Sequence, residues 1–258
     1  MIDQDGIKSI SFRKNNKSAF CIFEHVYFAR PDSTIDGVSV YSSRIEAGRI
    51  LAKECKIDAD IVIGVPDSGV PSAIGYSRES GIPYSEGFIK NRYVGRTFIQ
   101  PDQFLREQSV KLKLSALEGQ VSGKRVIMID DSIVRGTTSK KIVSLLKDAG
   151  AKEVHVLISS PPVKFSCFYG VDTPERKNLI ANTHTVEEIR KTIDADSLYF
   201  LSIEGLKKAP VNSKVDFCTA CFDGNYPVVL ETEAKTEEES KIENIDEVKV
   251  GRKEYIHV

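Results

Sequence analysis

The chain has little of several things that would fix a function class at once. No apolar run approaches the roughly 18 residues that a membrane-spanning helix needs. The N-terminal stretch MIDQDGIKSISFRKNNK has no continuous apolar core of the kind a signal peptide carries. Together these absences predict a cytoplasmic protein with no membrane partner. Charge of neither sign dominates: 36 Lys and Arg against 37 Asp and Glu leave a formal net charge of −1, which argues against a general nucleic-acid binder. Cysteines number only five, Cys21, Cys55, Cys167, Cys218 and Cys221. An odd count in a cytosolic-looking chain makes a poor disulfide framework, so metal ligation or simple burial is expected. None of the four histidines, His25, His155, His184 and His257, stands in a chemistry-bearing motif, and none is assigned a catalytic role.

What is present is an ordinary globular composition. With 258 residues, 41% of them hydrophobic, the chain can build one substantial core, or one core with an appendage. Residues 1–30 alternate loosely and read as short strands. Ser43 and Glu46 give a capping-box pattern ahead of RIEAGRILAKECK, in which Ala47, Leu51 and Cys55 share a face, so Cys55 reads as a small buried hydrophobe. DADIVIGV is a strand ending at Val65. A helix is expected from about Val70 to Ser80, stopped by Gly81, with a short strand near residues 82–88. KRVIMID, TTSKKIVSLLKDAG and EVHVLISS then read as strand, helix and strand. Ile142, Leu145, Leu146 and Ala149 lie on the helix's buried side, and Gly150 is its C-terminal cap. His155 alternates within the last strand and reads as structural. Strands alternating with helices predict an α/β fold, a parallel twisted sheet covered on both faces.

Two stretches fall outside this rhythm. The polar, basic connection from residue 88 to 124 is long for a compact α/β domain, and such connections are functional or disordered. From Glu231 onward, nine acidic and five basic residues without core spacing read as a flexible acidic tail.

The most informative segment is VIMIDDSIVRGTTS, residues 126–139. An apolar strand delivers Asp130 and Asp131 to its C-terminal end, where open α/β sheets bind ligands. Hydroxyl residues, an arginine and a glycine follow up to a helix start: Ser132, Arg135, Gly136, Thr137, Thr138 and Ser139. Backbone N–H groups there cradle phosphate, and the helix dipole favours the anion. One turn thus offers an acidic head for hydroxyls or metal and a phosphate-binding floor, a layout that matches a sugar phosphate. The bland alternative is a strand-to-helix turn capped by Asp, which requires one acidic residue and not two. A second loop, GVPDSG at 64–69, also closes an apolar strand; alone it is an ordinary turn. A third element, KNRYVGRTFIQ at 90–100, gathers Lys90, Arg92 and Arg96 where a basic loop could neutralise a leaving group and close over it.

The 126–139 segment resembles the phosphoribosylpyrophosphate (PRPP) signature of the type I phosphoribosyltransferases. Within them the runs IKNRYVGRTFIQP, CIFEHVYFARPDS, VPDSGVPSAIGY and AKEVHVLISSPPVKFSCFYGVDT are similar to the amidophosphoribosyltransferases, over most of residues 5–228. The resemblance implies the type I phosphoribosyltransferase fold. N-terminal strands at 1–40 would pack on the core, the transferase domain would span 41–228, and the tail 229–258. It implies phosphoribosyl transfer from PRPP to ammonia, giving 5-phosphoribosylamine and pyrophosphate at the start of purine synthesis. Asp130 and Asp131 would meet the ribose hydroxyls and, with Ser68, Mg²⁺. Asp67, Ser68, Gly69, Lys90 and Arg92 would face the pyrophosphate, and Ser132, Arg135, Gly136, Thr137 and Thr138 the 5′-phosphate. A strained peptide is expected in the 66–69 loop. The resemblance further implies a 4Fe-4S cluster on Cys21, Cys167, Cys218 and Cys221; four thiolates also permit zinc, and four buried free thiols remain the plain alternative. Purine nucleotides as inhibitors and a homo-oligomer complete the expectation. One departure is the start Met1-Ile2-Asp3, which offers no N-terminal cysteine nucleophile, so ammonia is expected from a separate glutaminase domain or subunit, or from solution. Two other readings stay open: transfer to a nucleobase, and a non-enzymatic PRPP-sensing regulator.

Overall fold

The computed structural model describes residues 2–4, 6–8, 10, 18–90 and 114–228. Arg92 and Arg96, most of the basic connection, and the acidic tail lie outside the described residues. The unit Met1–Asn225 is built on a four-stranded sheet. We label the strands β1 Phe20–Cys21, β2 Ile61–Gly64, β3 Phe88–Lys90, β4 Leu114–Ala116, β5 Arg125–Asp130, β6 Glu153–Ile158, β7 Ser197–Phe200 and β8 Phe217–Cys218. The larger helices are α1 Val40–Glu54, α2 Val70–Ser80, α3 Thr137–Asp148, α4 Val186–Ile193 and α5 Ile203–Lys208. The sheet runs β7-β6-β5-β2, and every pairing in it is parallel.

Why these residues make a two-sided sheet is visible in β5. Its side chains alternate faces, as a strand's must. Val126 and Met128 join one buried cluster with Ile61, Ile63 and Val156, which α3 and α4 cover through Ile142, Leu146 and Ile189. Ile127 and Ile129 join the opposite cluster with Val62 and Leu157, which α1 and α2 cover through Leu51, Ala73 and Tyr76. Because both faces are dry, the strands read as continuous apolar runs. Each such side chain contributes about 1.5–3 kcal/mol on burial, so a charged substitution at Ile127 or Met128 would break the layer. Helices α1 and α2 cross closely: a side chain on Gly48 would overlap the Ser72 carbonyl, and one on Gly75 the Ile45 carbonyl.

Several expectations need correction. The run after Cys21 does not continue as a strand; Glu24–Phe28 forms a π-helical turn. Buried Arg44 holds it, its Nε donating to the His25 carbonyl at 3.0 Å and its Nη2 to the Ala29 carbonyl at 2.8 Å. A long-range guanidinium contact of this kind leaves no local signal. Ser43 and Glu46 do not cap α1. The hairpin Thr34–Ile35/Val38–Ser39 feeds straight into the helix, and Ser39 accepts from the Ser42 N–H at 3.3 Å. Ser43 is buried one turn later, donating to the Ser39 carbonyl. The strand expected near 82–88 shrinks to a bridge between Val62 and Tyr84, and β3 starts only at Phe88. The flanks of the basic connection meet instead, as β3 and β4 pair antiparallel. Other readings match: α2 ends at Ser80 before left-handed Gly81, and α3 ends at Asp148, with Gly150 left-handed just beyond. His155 is half-buried between Ser197 and Glu153. Cys55 terminates α1 and, only half-buried, packs against the apolar core.

Candidate active site

The loops that carry Ser68, Asp131 and Ser160 leave the C-terminal ends of the adjacent parallel strands β2, β5 and β6. From β2 comes Val65-Pro66-Asp67-Ser68-Gly69. The Pro66–Asp67 peptide is cis. Gly69 passes so close to the Ile129 carbonyl that any side chain there would overlap it. The loop therefore sits directly against the end of β5, and this brings Ser68 to the acid pair.

Asp130 and Asp131 are both buried. Ser68 donates to one oxygen of Asp131 and Ser132 to the other, each at 2.5 Å. The Asp131 N–H donates to the Asp130 carboxylate at 2.9 Å. Burial, and then the neighbouring Asp131 charge, push the Asp130 carboxyl well above the ordinary carboxylate range. Two carboxylates crowded at a dry strand end are unstable without a proton or a cation between them, and hydroxyl-rich or cationic ligands relieve that cost. The third strand end contributes residues that the sequence reading did not single out. The Ser159 N–H donates to the Asp130 carbonyl at 2.9 Å, and the buried Ser160 hydroxyl donates to the Asp131 carbonyl at 2.7 Å. The signal was the polar SSPP run closing an apolar strand.

Beyond the pair the chain turns into α3. Gly136 is the N-cap residue in the left-handed region, at φ 76°, where glycine is at ease, and no side chain caps the helix. The first-turn N–H groups of Thr137, Thr138 and Ser139 thus stay available, with the positive end of the helix dipole behind them. Arg135, Thr137 and Thr138 are exposed. Ser68, Asp130, Asp131, Ser132, Arg135 and Thr137 share one cavity of about 520 Å³. A second cavity, of about 650 Å³, borders the β2 loop at Asp67 and includes Tyr84, Glu86, Phe88 and Lys90. Lys90 reaches from β3 to pair with Asp67 at 2.5 Å. Every residue proposed for PRPP or Mg²⁺ among the described ones therefore lies on these two adjoining cavities except buried Gly69, which underpins the loop.

The four family-matching cysteines form a separate constellation. Strands β1 and β8 pair in parallel, with Cys21 opposite Cys218. The Cys221 carbonyl accepts from the N–H groups of Lys164 and Phe165, at 2.9 and 3.0 Å, which anchors the segment carrying Cys167. Burial pushes the Cys221 thiol up to about 12, helped by Cys21, Cys218 and Cys167. Burial also raises Cys21. At Cys167 burial raises, but N–H groups of Tyr169, Gly170 and Val171 outweigh it and hold the thiol below its usual value. Cys55 takes no part in this set. Among the described residues no group of three or more His, Cys, Asp or Glu side chains is arranged as a ready metal cage. No helix among them is long and apolar enough to cross a membrane.

A parallel sheet with helices on both faces, an acid pair at a central strand end and an uncapped helix start after it define a type I phosphoribosyltransferase fold. Residues 43–161 match the phosphoribosyl transferase domain family. Its similarity narrows to the phosphoribosyltransferase part of the amidophosphoribosyltransferases. It is 56% identical over 235 residues to that of Bacillus subtilis (strain 168), covering 89% of this chain and 49% of the relative. It is 54% identical over 230 residues to that of Archaeoglobus fulgidus, covering 88% and 50%. Similar solved structures include two of high identity. One, described as the allosteric regulatory enzyme of purine biosynthesis, has a TM-score of 0.81 and 55% identity, covering 89% of this chain and 50% of that one. The other is the glutamine PRPP amidotransferase of B. subtilis in complex with ADP and GMP, at 0.80 and 56%, covering 88% and 50%. The chain spans about half the length of the curated relatives it matches.

Proposed function

We propose that this chain transfers the phosphoribosyl group of PRPP to ammonia, giving 5-phosphoribosylamine and pyrophosphate, the first committed step of de novo purine synthesis. The observation that carries the reading is the buried Asp130–Asp131 pair, bonded through Ser68 to the neighbouring loop and followed by an uncapped helix start. The similarity to amidophosphoribosyltransferases supports it. The 5′-phosphate suits the amides and hydroxyls of residues 136–139, and the ribose hydroxyls suit the two carboxylates. Pyrophosphate suits Asp67, Ser68, Gly69 and Lys90, with Arg92 a further candidate contact. The ammonia lone pair forms the new bond to C1 while the C1–oxygen bond breaks with inversion. The pyrophosphate oxygen keeps the bonding pair, and the new ammonium loses a proton to solvent. No covalent enzyme intermediate is required, so the chain's work is positioning and stabilisation of charge. Ser68, Asp130 and Asp131 are hard oxygen donors that fit Mg²⁺ shared with substrate oxygens, and Mg²⁺ when bound supplies neutralisation of the leaving pyrophosphate.

The same reading gives the four cysteines a structural 4Fe-4S cluster, with zinc as the rival metal. Cys21 stands opposite Cys218 where β1 and β8 pair, which supports a soft ligand shared with Cys167 and Cys221. Segments 1–40, 41–228 and 229–258 act as N-terminal support, transferase domain and tail. A glutaminase domain or subunit supplies ammonia, purine nucleotides inhibit, and the protein works as a cytoplasmic homo-oligomer. The decisive assay is pyrophosphate release from PRPP and Mg²⁺ with ammonium salts or with purine and pyrimidine bases. Ammonia should support turnover and bases should not. Turnover with a base alone, or PRPP binding without any turnover, replaces this reading with the nucleobase or sensor alternative.

A further inference from the structure

We infer that Ser160 is a positioning residue for the acid pair, acting through the Asp131 backbone; this rests on the PRPP reading above. Strand β6 pairs with β5 as far as Ile158 opposite Asp130, and the Ser159 N–H then takes the Asp130 carbonyl. Beyond that point Pro161 and Pro162 have no N–H to offer. Asp131 lies at this frayed end, yet its side chain must stay fixed between the loop of Ser68 and the loop of Ser132. The Ser160 hydroxyl closes the gap, donating to the Asp131 carbonyl at 2.7 Å from a position with no solvent exposure. A buried carbonyl stripped of its donor turns toward whatever donor remains, and a turn of this peptide would carry the Asp131 carboxylate with it. Ser160 touches neither cavity, so its effect runs through that carboxylate alone.

The test is Ser160→Ala in the full chain, with PRPP binding followed by calorimetry at several Mg²⁺ concentrations beside steady-state turnover. PRPP affinity and kcat/KM should each fall about tenfold, the size of one buried hydrogen bond to a fixed carbonyl. The Mg²⁺ concentration for half-maximal binding should rise. Ser160→Cys, close in volume with a weaker donor, should fall between wild type and Ala, and it serves alone if the Ala variant does not fold. Ser43→Ala removes the same kind of bond, a buried serine on a backbone carbonyl, from helix α1; it should lower the melting temperature with no change in Mg²⁺ dependence. Wild-type affinity and Mg²⁺ dependence in Ser160→Ala or Ser160→Cys would overturn the inference, whatever happens to melting. Wild-type binding without turnover would overturn the transfer reading instead, and the binding series would still decide the role of Ser160.

Discussion

Asp130→Asn separates what the acid pair does for function from what it costs the fold. Asp130 is only 8% exposed, and its carboxyl ionises well above the ordinary 3.8 because it is buried and faces Asp131. The folded protein therefore holds a proton there that the unfolded chain releases near 3.8. The stability this proton provides is complete below that pH and is lost as pH rises toward the folded ionisation. Between the two values each pH unit costs about 1.4 kcal/mol. Asparagine keeps the oxygen that accepts the Asp131 N–H and cannot ionise. Melting followed from pH 4 to 8 without Mg²⁺ should show the variant gaining on wild type by about 3–6 °C per pH unit within that window, given about 2–4 °C per kcal/mol for a chain of this size. PRPP turnover should fall at least a hundredfold, the scale expected when a preorganised charged contact is removed. A melting difference that stays flat with pH would refute the burial argument, and unchanged turnover would refute the site assignment.

Gly136→Ala should destabilise by about 1–2 kcal/mol in chemical denaturation, because a Cβ at φ 76° is strained and would lie 2.9 Å from Ile180 Cδ1; it should also weaken PRPP binding. Lys90→Ala should leave melting unchanged, since the pair with Asp67 is exposed, while raising the KM for PRPP about tenfold if Lys90 turns to the pyrophosphate. Anaerobic purification should give a brown protein with about four iron per chain; a colourless protein with stoichiometric zinc would replace the cluster with a zinc site, and one with neither metal would leave four free thiols.

The sequence by itself determined the layers and the main motif. Apolar runs of four to six residues between helical patterns specify a sheet buried on both faces, and two aspartates ending such a run before Gly-Thr-Thr can be read locally because strand, turn and helix start are contiguous. Local signals also placed the ends of α2 and α3, where glycine takes the left-handed conformation that stops a helix. Tertiary structure alone decided the rest. Ser68 and Asp131 are 63 residues apart, and only the parallel pairing of β2 with β5 sets their loops side by side. Ser160 meets Asp131 because β6 pairs on the other side of β5. The start of α1 and the π-turn at Glu24–Phe28 also escaped local reading: an incoming hairpin supplied the cap, and an arginine from a distant helix supplied the donors. Hydrogen bonds between residues far apart in sequence have no period and no composition, so they become visible only when the sheet order is known.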